Sequence, residues 1–580
     1  MDEFHVAGVA VGVTDSNKTV MQKGYGEADI SAGVPAGPES TLFRPGSITK
    51  LFTWTAVMQL EEQGLLELTD PVEDYLDFEL PDTFSEPIRI IDLMNHTPGF
   101  ADRLIGLFVT EEKYRKSLEQ SVKQDIPRRV RPPGAVSSYS NYGTMLAGYI
   151  VQRLTGTPYE QYVEEHIFEP LGMSRSTMIQ PPPEMSGVNM ARGYTFSGDT
   201  FHQQPFEIVN GAPAGALSST CSDILRFYRA YLRNGSGENG TILKPETVRA
   251  MRETSFRHDP RANGMAHGFM EIGTDDYPVL GHGGDTMYFH SLSGYFPTEG
   301  WAYYISTNTS TGNLLAFELQ QMMFNEFLPV PDGKTLAAET QVQPDLTQYT
   351  GVFSMDRRAE SDPTQILGLV ALLKPAISED GSGLFIKSIL DPLGSVYLPV
   401  DEDIFQQEGG RLRVVFLRNS EGEVESVYSN DAPVFIFKRP PWIESPYLNF
   451  PVLGIGIILL LSVIFAPPIG LLTLIPGLRR RFKNDKLRLI RFSIWGYVAC
   501  IAAQILVVIG LGNIIFKPIG PQHVIPVYLA ALSLPVMITG AALLWRLKEM
   551  KKLGRIYVTV FTAAQVLFIA LLGYWGFFFV

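Results

Sequence analysis

Ser47 and Lys50 stand three residues apart in the segment Ser47-Ile48-Thr49-Lys50. A serine hydroxyl is a weak nucleophile until a base takes its proton. Residues three apart on the first turn of a helix share a face, so Lys50 can reach the Ser47 hydroxyl. Burial among Phe43, Leu51 and Trp54 favours the neutral amine. A helix start also offers backbone N–H groups to an oxyanion. Taken alone, the segment fits a plain N-cap serine equally well, and S-x-x-K arises about once by chance in a chain this long.

Two further segments carry chemistry. In Tyr139-Ser140-Asn141, a tyrosine near a lysine ammonium has a lowered pKa and can pass a proton to a leaving group. The adjacent Asn can fix a substrate carbonyl or the lysine. The plainer reading is a buried tyrosine bonded to a carbonyl. In Gly281-His282-Gly283-Gly284-Asp285, the glycines allow a substrate to lie along a strand's backbone, and the His can bond substrate or the tyrosine. Standing alone, this motif reads as a turn with a surface His ahead of a strand-like run, Thr286–Tyr295.

In this order, S-x-x-K, Y-x-N and H-x-G resemble the serine β-lactamase and penicillin-binding-protein superfamily, in its class C β-lactamase and esterase branch. The sibling set is S-x-x-K, S-D-N, K-T-G. Further segments match: FRPGSITK at Phe43–Lys50, LMNHTPG at Leu93–Gly99, Pro133-Gly134 before Tyr139–Gly143, FEPLGM at Phe168–Met173 and PAGALSS at Pro213–Ser219. The resemblance covers about residues 4–320. It implies a sandwich in which an antiparallel sheet is flanked by helices and carries an all-helical subdomain. It implies Ser47 as the acylated residue, with Lys50 and Tyr139 as proton-transfer partners. Asn141, His282, Gly284 and Asp285 would bind substrate, with the backbone N–H groups of Ser47 and Asp285 as the oxyanion hole. The family's fold begins with a helix that is missing before Phe4, which points to a start upstream of Met1.

One departure bears on specificity. Where β-lactamases have Lys-Thr-Gly, this chain has His282-Gly283-Gly284. A neutral His offers a substrate carboxylate far less than a lysine does. Esterase, amidase or D-aminopeptidase chemistry is therefore expected ahead of β-lactamase or D,D-carboxypeptidase activity, or of a slowly turning over penicillin-binding sensor. The substrate expected is a small molecule or peptide, cell-wall-derived peptides among them. No metal or cofactor is expected: His96, His166, His258, His267 and His290 lack ligand spacing and read as structural. Two cysteines, Cys221 and Cys500, are too few for a thiolate site.

The elements that must position these residues follow from periodicity. Val6–Val13 and Thr19–Tyr25 read as a hairpin around a polar turn, and Leu292–Phe296 with Trp301–Ser306 as a strand pair. Thr49–Gln63 and Asn141–Leu154 read as helices, the second ended by Thr155-Gly156. Residues 1–335 therefore form the hydrolase domain. Short β-like runs from Tyr349 to Tyr428 predict a small sheet or barrel over 340–440, loosely similar to the barrel that follows the catalytic domain in some relatives.

Residues 449–580 differ. Phe450–Leu478, Phe492–Phe516, Val524–Leu544 and Ile556–Val580 are each long enough to cross a bilayer. The loops after the first and third are basic, Arg479–Arg488 and Arg546–Lys552, while the second holds only Lys517. The positive-inside rule puts both basic loops in the cytoplasm and the hydrolase domain outside. From Leu448 onward there are 13 Lys/Arg and 2 Asp/Glu, a net of +11, within a chain of net charge -14. The acidic remainder argues against nucleic acid as a partner. Met1-Asp2-Glu3 does not resemble a signal peptide, so either the start lies upstream or the orientation is otherwise; the agreement of the two basic loops favours a start upstream.

Overall fold

A computed structural model describes residues 1–452 apart from 275–276, 328–332, 361–362 and 388–393. Beyond these it describes isolated positions between 454 and 545, and residues 552–575. The described residues fall into two compact units. One comprises Met1–Arg103, Leu107–Arg358 and Ala371–Arg439; the other comprises Leu104–Gly106, Ala359–Val370 and Pro440 onward.

The first unit is built on an eight-stranded antiparallel sheet. Its strands are β1 (Gly8–Asp15), β2 (Thr19–Asp29), β3 (Val34–Pro35), β4 (Met265–Ala266), β5 (Phe269–Glu271), β6 (Leu280–Asp285), β7 (His290–Phe296) and β8 (Trp301–Thr307). They lie in the order β4-β5-β6-β7-β8-β1-β2-β3. Strand β8 pairs with β1, Val9 opposite Thr307, so the chain's beginning and the end of the hydrolase fold close one sheet. Both predicted strand pairs are present, with Phe296 opposite Trp301 in the second.

Period-two alternation sorts side chains to two cores. Ala10, Ala302 and Tyr304 face the larger core, with α1 (Thr49–Glu62), α2 (Asn141–Thr155) and α3 (Cys221–Leu232). Val9, Val11, Tyr303 and Ile305 face the smaller one, with Leu315, Ala316 and Phe324 of α4 (Gly312–Phe327). Gly12 lets α3 approach β1: a Cβ there would stand 2.6 Å from Cys221 Sγ. Helix α1 is buried from Thr49 to Leu60, wider than the single face its spacing predicts, because it runs through the middle of the larger core.

After α4 comes a closed eight-stranded barrel: β9 (Phe353–Met355), β10 (Leu372–Ile377), β11 (Leu384–Lys387), β12 (Ser395–Asp401), β13 (Ile404–Gln407), β14 (Arg413–Arg418), β15 (Val424–Ser429) and β16 (Ile436–Lys438). Pairing of β9 with β16 closes it. Of the two expectations for this region, sheet or barrel, the barrel is the one formed.

In the second unit, Lys552–Tyr574 is helical. Tyr574 donates to Glu444 Oε1 at 2.7 Å and Trp575 Nε1 to Asn449 Oδ1 at 3.2 Å. Among the described residues, no helix is long and apolar enough to cross a membrane. The first three apolar stretches lie almost wholly outside the described residues.

Candidate active site

Ser47 sits in a 3-10 turn, Gly46–Ile48, that leads directly into α1. Ile48, not Ser47, is the N-cap of α1, and it makes no side-chain cap. The N-cap reading of Ser47 is therefore excluded. Gly46 has φ +56°, which L side chains rarely adopt. Thr49 locks the turn: its Oγ1 donates to Gly46 O at 2.6 Å and accepts from Leu217 N at 3.2 Å.

One turn on, Lys50 Nζ lies 3.1 Å from Ser47 Oγ. It donates to Asn141 Oδ1 and to Ala214 O, both at 2.8 Å. Two N–H groups directed at two fixed acceptors leave the lone pair of a neutral amine for the Ser47 hydroxyl. Lys50 is fully buried. Burial first, and the nearby Arg357 cation second, hold its pKa well below that of an ordinary lysine. The amine is thus prepared to act as a base.

Asn141 is the first residue of α2, whose N-cap Ser140 accepts from Gly143 N at 3.0 Å. Tyr139, just before that cap, is buried, its hydroxyl without a hydrogen bond of good geometry although Ser47 is close enough to favour the phenolate slightly. The expected lowering of its pKa does not occur. Burial raises it and outweighs Ser47 and Arg357, and a neutral Lys50 supplies little charge. Tyr139 therefore carries its proton.

His282 lies within β6, not ahead of a strand as expected: Leu280–Asp285 is itself the strand, and the turn at Thr286–Phe289 follows it. His282 is 2% exposed, so the surface-turn reading fails. Its Nδ1 bonds to Gly283 O and its Nε2 has no partner. Burial and the proximity of Lys50 bring its pKa down to about 3. Strand β6 then passes against the nucleophile turn. A Cβ on Gly284 would stand 1.9 Å from Pro45 O and 2.7 Å from Ser47 N, and one on Gly46 would stand 2.6 Å from Asp285 N. The backbone nitrogens of Ser47 and Asp285 thus lie where the two backbones come closest, the place an oxyanion hole would need them. The Asp285 carboxylate points elsewhere, to His290 Nδ1 at 2.6 Å.

Three groups that the sequence reading did not assign to the site lie beside it. The Ala214 carbonyl carries no side-chain signal, though it lies in Pro213–Ser219. His96 read as structural, yet its ring is 4.4 Å from that of Tyr139. Its Nδ1 accepts from Ser140 N at 3.2 Å, and its buried Nε2 has no partner. Arg357 reaches the site from the chain just after β9. Its guanidinium lies 4.7 Å from the Tyr139 ring centre, as does Lys50 Nζ.

The family model described as Beta-lactamase matches residues 1–321. The chain belongs to the beta-lactamase family of serine hydrolases. Over 268 residues it is 30% identical to a Beta-lactamase of Yersinia enterocolitica, covering 46% of this chain and 65% of that one. The chain thus spans somewhat less than two thirds of that relative's length. It is 26% identical to Penicillin-binding protein 4 of Amycolatopsis lactamdurans, over 61% of this chain and 94% of the relative. The crystal structure of SurE superposes with a TM-score of 0.52 at 20% identity, covering 76% of this chain and 96% of SurE. That likeness supports the fold.

Proposed function

We propose that the chain is a membrane-anchored hydrolase that forms an acyl-enzyme at Ser47 on an ester, amide or peptide substrate, including D-amino-acid-containing ones, outside the cytoplasmic membrane. The observation that carries the chemistry is the buried Lys50 amine, 3.1 Å from Ser47 Oγ with its other two contacts on fixed acceptors. Ser47 Oγ attacks the carbonyl carbon while its proton passes to Lys50. The oxyanion forms between the N–H groups of Ser47 and Asp285. Tyr139, protonated, gives its proton to the leaving group as it takes one from Lys50. Water then attacks the acyl-enzyme by the same steps in reverse order.

The names of the two relatives favour a second reading, β-lactamase or penicillin-binding activity, at the same serine. The extracytoplasmic placement rests on the four apolar stretches and their basic loops. Trp442 and Tyr447, 76% and 77% exposed just before the first stretch, suit a membrane–water interface.

Ser47→Ala should abolish labelling by a fluorophosphonate probe and cut hydrolysis of a short-chain ester by about 10³-fold or more. Lys50→Ala should cost nearly as much, because residues acting as a unit are not additive. Full labelling of Ser47→Ala would overturn the assignment.

A further inference from the structure

Replacement of the family's lysine by His282 predicts a site without a cation for a substrate carboxylate. Two arginines flank the site motifs in sequence, and neither lies against Tyr139 or Lys50 as Arg357 does. Arg44 is fully buried, its guanidinium bound to Glu207 O and to Gln180 Oε1 at 2.8 Å. Arg192 lies 3.3 Å from Asp29.

Arg357 is different. Its Nε lies 2.8 Å from Asp102 Oδ2, and its side chain is 20% exposed. Its two terminal nitrogens have no hydrogen-bond partner among the described residues. The guanidinium also lies against Phe435, whose ring stacks on Tyr139 at 5.6 Å. The loop that presents it is held on both sides. Arg131 Nη2 lies 2.6 Å from Asp356 Oδ2, Asp356 N donates to Ile436 O at 2.7 Å, and Asp102 N donates to Arg358 O at 3.0 Å. A fixed arginine fork with two open N–H edges beside the proton-transfer tyrosine suits a carboxylate.

We propose that Arg357 is a specificity-determining residue of the Ser47 site, a barrel-borne cation that receives a carboxylate on the leaving-group side of the substrate. The proposal rests on the acyl-enzyme reading. The barrel thereby restores, from another part of the chain, the charge missing at His282.

The test uses the full chain in detergent and two N-acylglycyl thioesters, one with thioglycolate and one with thioglycolamide as leaving group. They differ only in the carboxylate. Each variant is measured on the plateau of its own pH profile, so that a change in Lys50 protonation does not enter. The parent should favour the thioglycolate ester by about ten- to a hundredfold in kcat/KM, the worth of a charge-assisted hydrogen bond. Arg357→Gln should bring that ratio close to one, chiefly by slowing the thioglycolate ester. Arg357→Lys, which keeps the charge, should retain part of the preference. A parent ratio near one, or an equal loss on both esters in Arg357→Gln, would overturn the proposal and leave Arg357 as a latch between barrel and hydrolase fold. Fluorophosphonate labelling at Ser47 separates this failure from that of the acyl-enzyme reading: a parent that does not label refutes both.

Discussion

Burial decides the protonation states of Lys50, Tyr139 and His282 beside Ser47. Lys50 gives up its charge and Tyr139 keeps its proton, because water is excluded from both. His282 stays neutral for the same reason, and this has a consequence for stability. Its pKa is about 3 in the fold, against ~6.5 in an unfolded chain. The unfolded state therefore binds the extra proton first as pH falls. Stability from this group is complete above pH ~6.5 and is lost progressively down to pH 3, by about 2 kcal/mol already at pH 5. Lys50, neutral in this site, and the Asp285 carboxylate are the titratable groups facing it. Buried carboxylates such as Glu207 and Asp223, whose pKa values are raised, act in the opposite sense. The comparison is accordingly between the parent and His282→Gln in urea unfolding at pH 7 and pH 5. The parent should lose about 2 kcal/mol more than the variant; equal losses would show that His282 is charged or hydrated in the fold.

Among the elements, β6 and the Gly46–Ile48 turn set the geometry of catalysis, because two backbones meet with no side chain between them. Gly284 has no room for a methyl group: its neighbours at 1.9 and 2.7 Å are backbone atoms that cannot rotate away. Gly283 differs, since a Cβ there would meet the Leu292 side chain at 3.2 Å and Ser291 O at an ordinary 3.8 Å. Gly284→Ala should therefore push β6 off the nucleophile turn. We expect a loss of about 10²–10³ in kcat/KM, the scale of removing an oxyanion donor, and a destabilisation of about 1–3 kcal/mol. Gly283→Ala should stay within about threefold of the parent, and similar kinetics for the two variants would contradict this packing. The same contrast explains what the sequence could convey. Ser47 and Lys50 are legible because one helical turn joins them, and Tyr139 and Asn141 because they bracket a cap. His282 was legible as a motif but misplaced relative to its strand, since a glycine-rich strand looks like a turn. Arg357 was not legible: its approach to Tyr139 depends on β9 pairing with β16 to close a barrel, and no local pattern encodes that closure.

At the scale of the whole molecule, chemistry and location rest on different parts of the chain. The Ser47 site draws on the sheet, on the helices of the larger core and on the barrel, all within the first unit. Location rests on the charge pattern after Leu448. The loops Arg479–Arg488 and Arg546–Lys552 concentrate Lys and Arg, whereas the intervening loop carries Lys517 alone. Translocating either basic loop would move several charges across the hydrocarbon, so both are expected to remain on the cytoplasmic side. Four crossings, as proposed, would return the C-terminus to the side of the hydrolase domain. With Cys221 buried and Cys500 replaced by Ser, a single cysteine placed in the Arg479–Arg488 loop should resist an impermeant thiol reagent in whole cells and react after permeabilisation. One placed at Gly520 should react without permeabilisation. The reverse pattern would place the Ser47 site in the cytoplasm and remove cell-wall-derived peptides from its candidate substrates. Reaction at both positions in intact cells would mean that the segment between them does not cross the membrane at all.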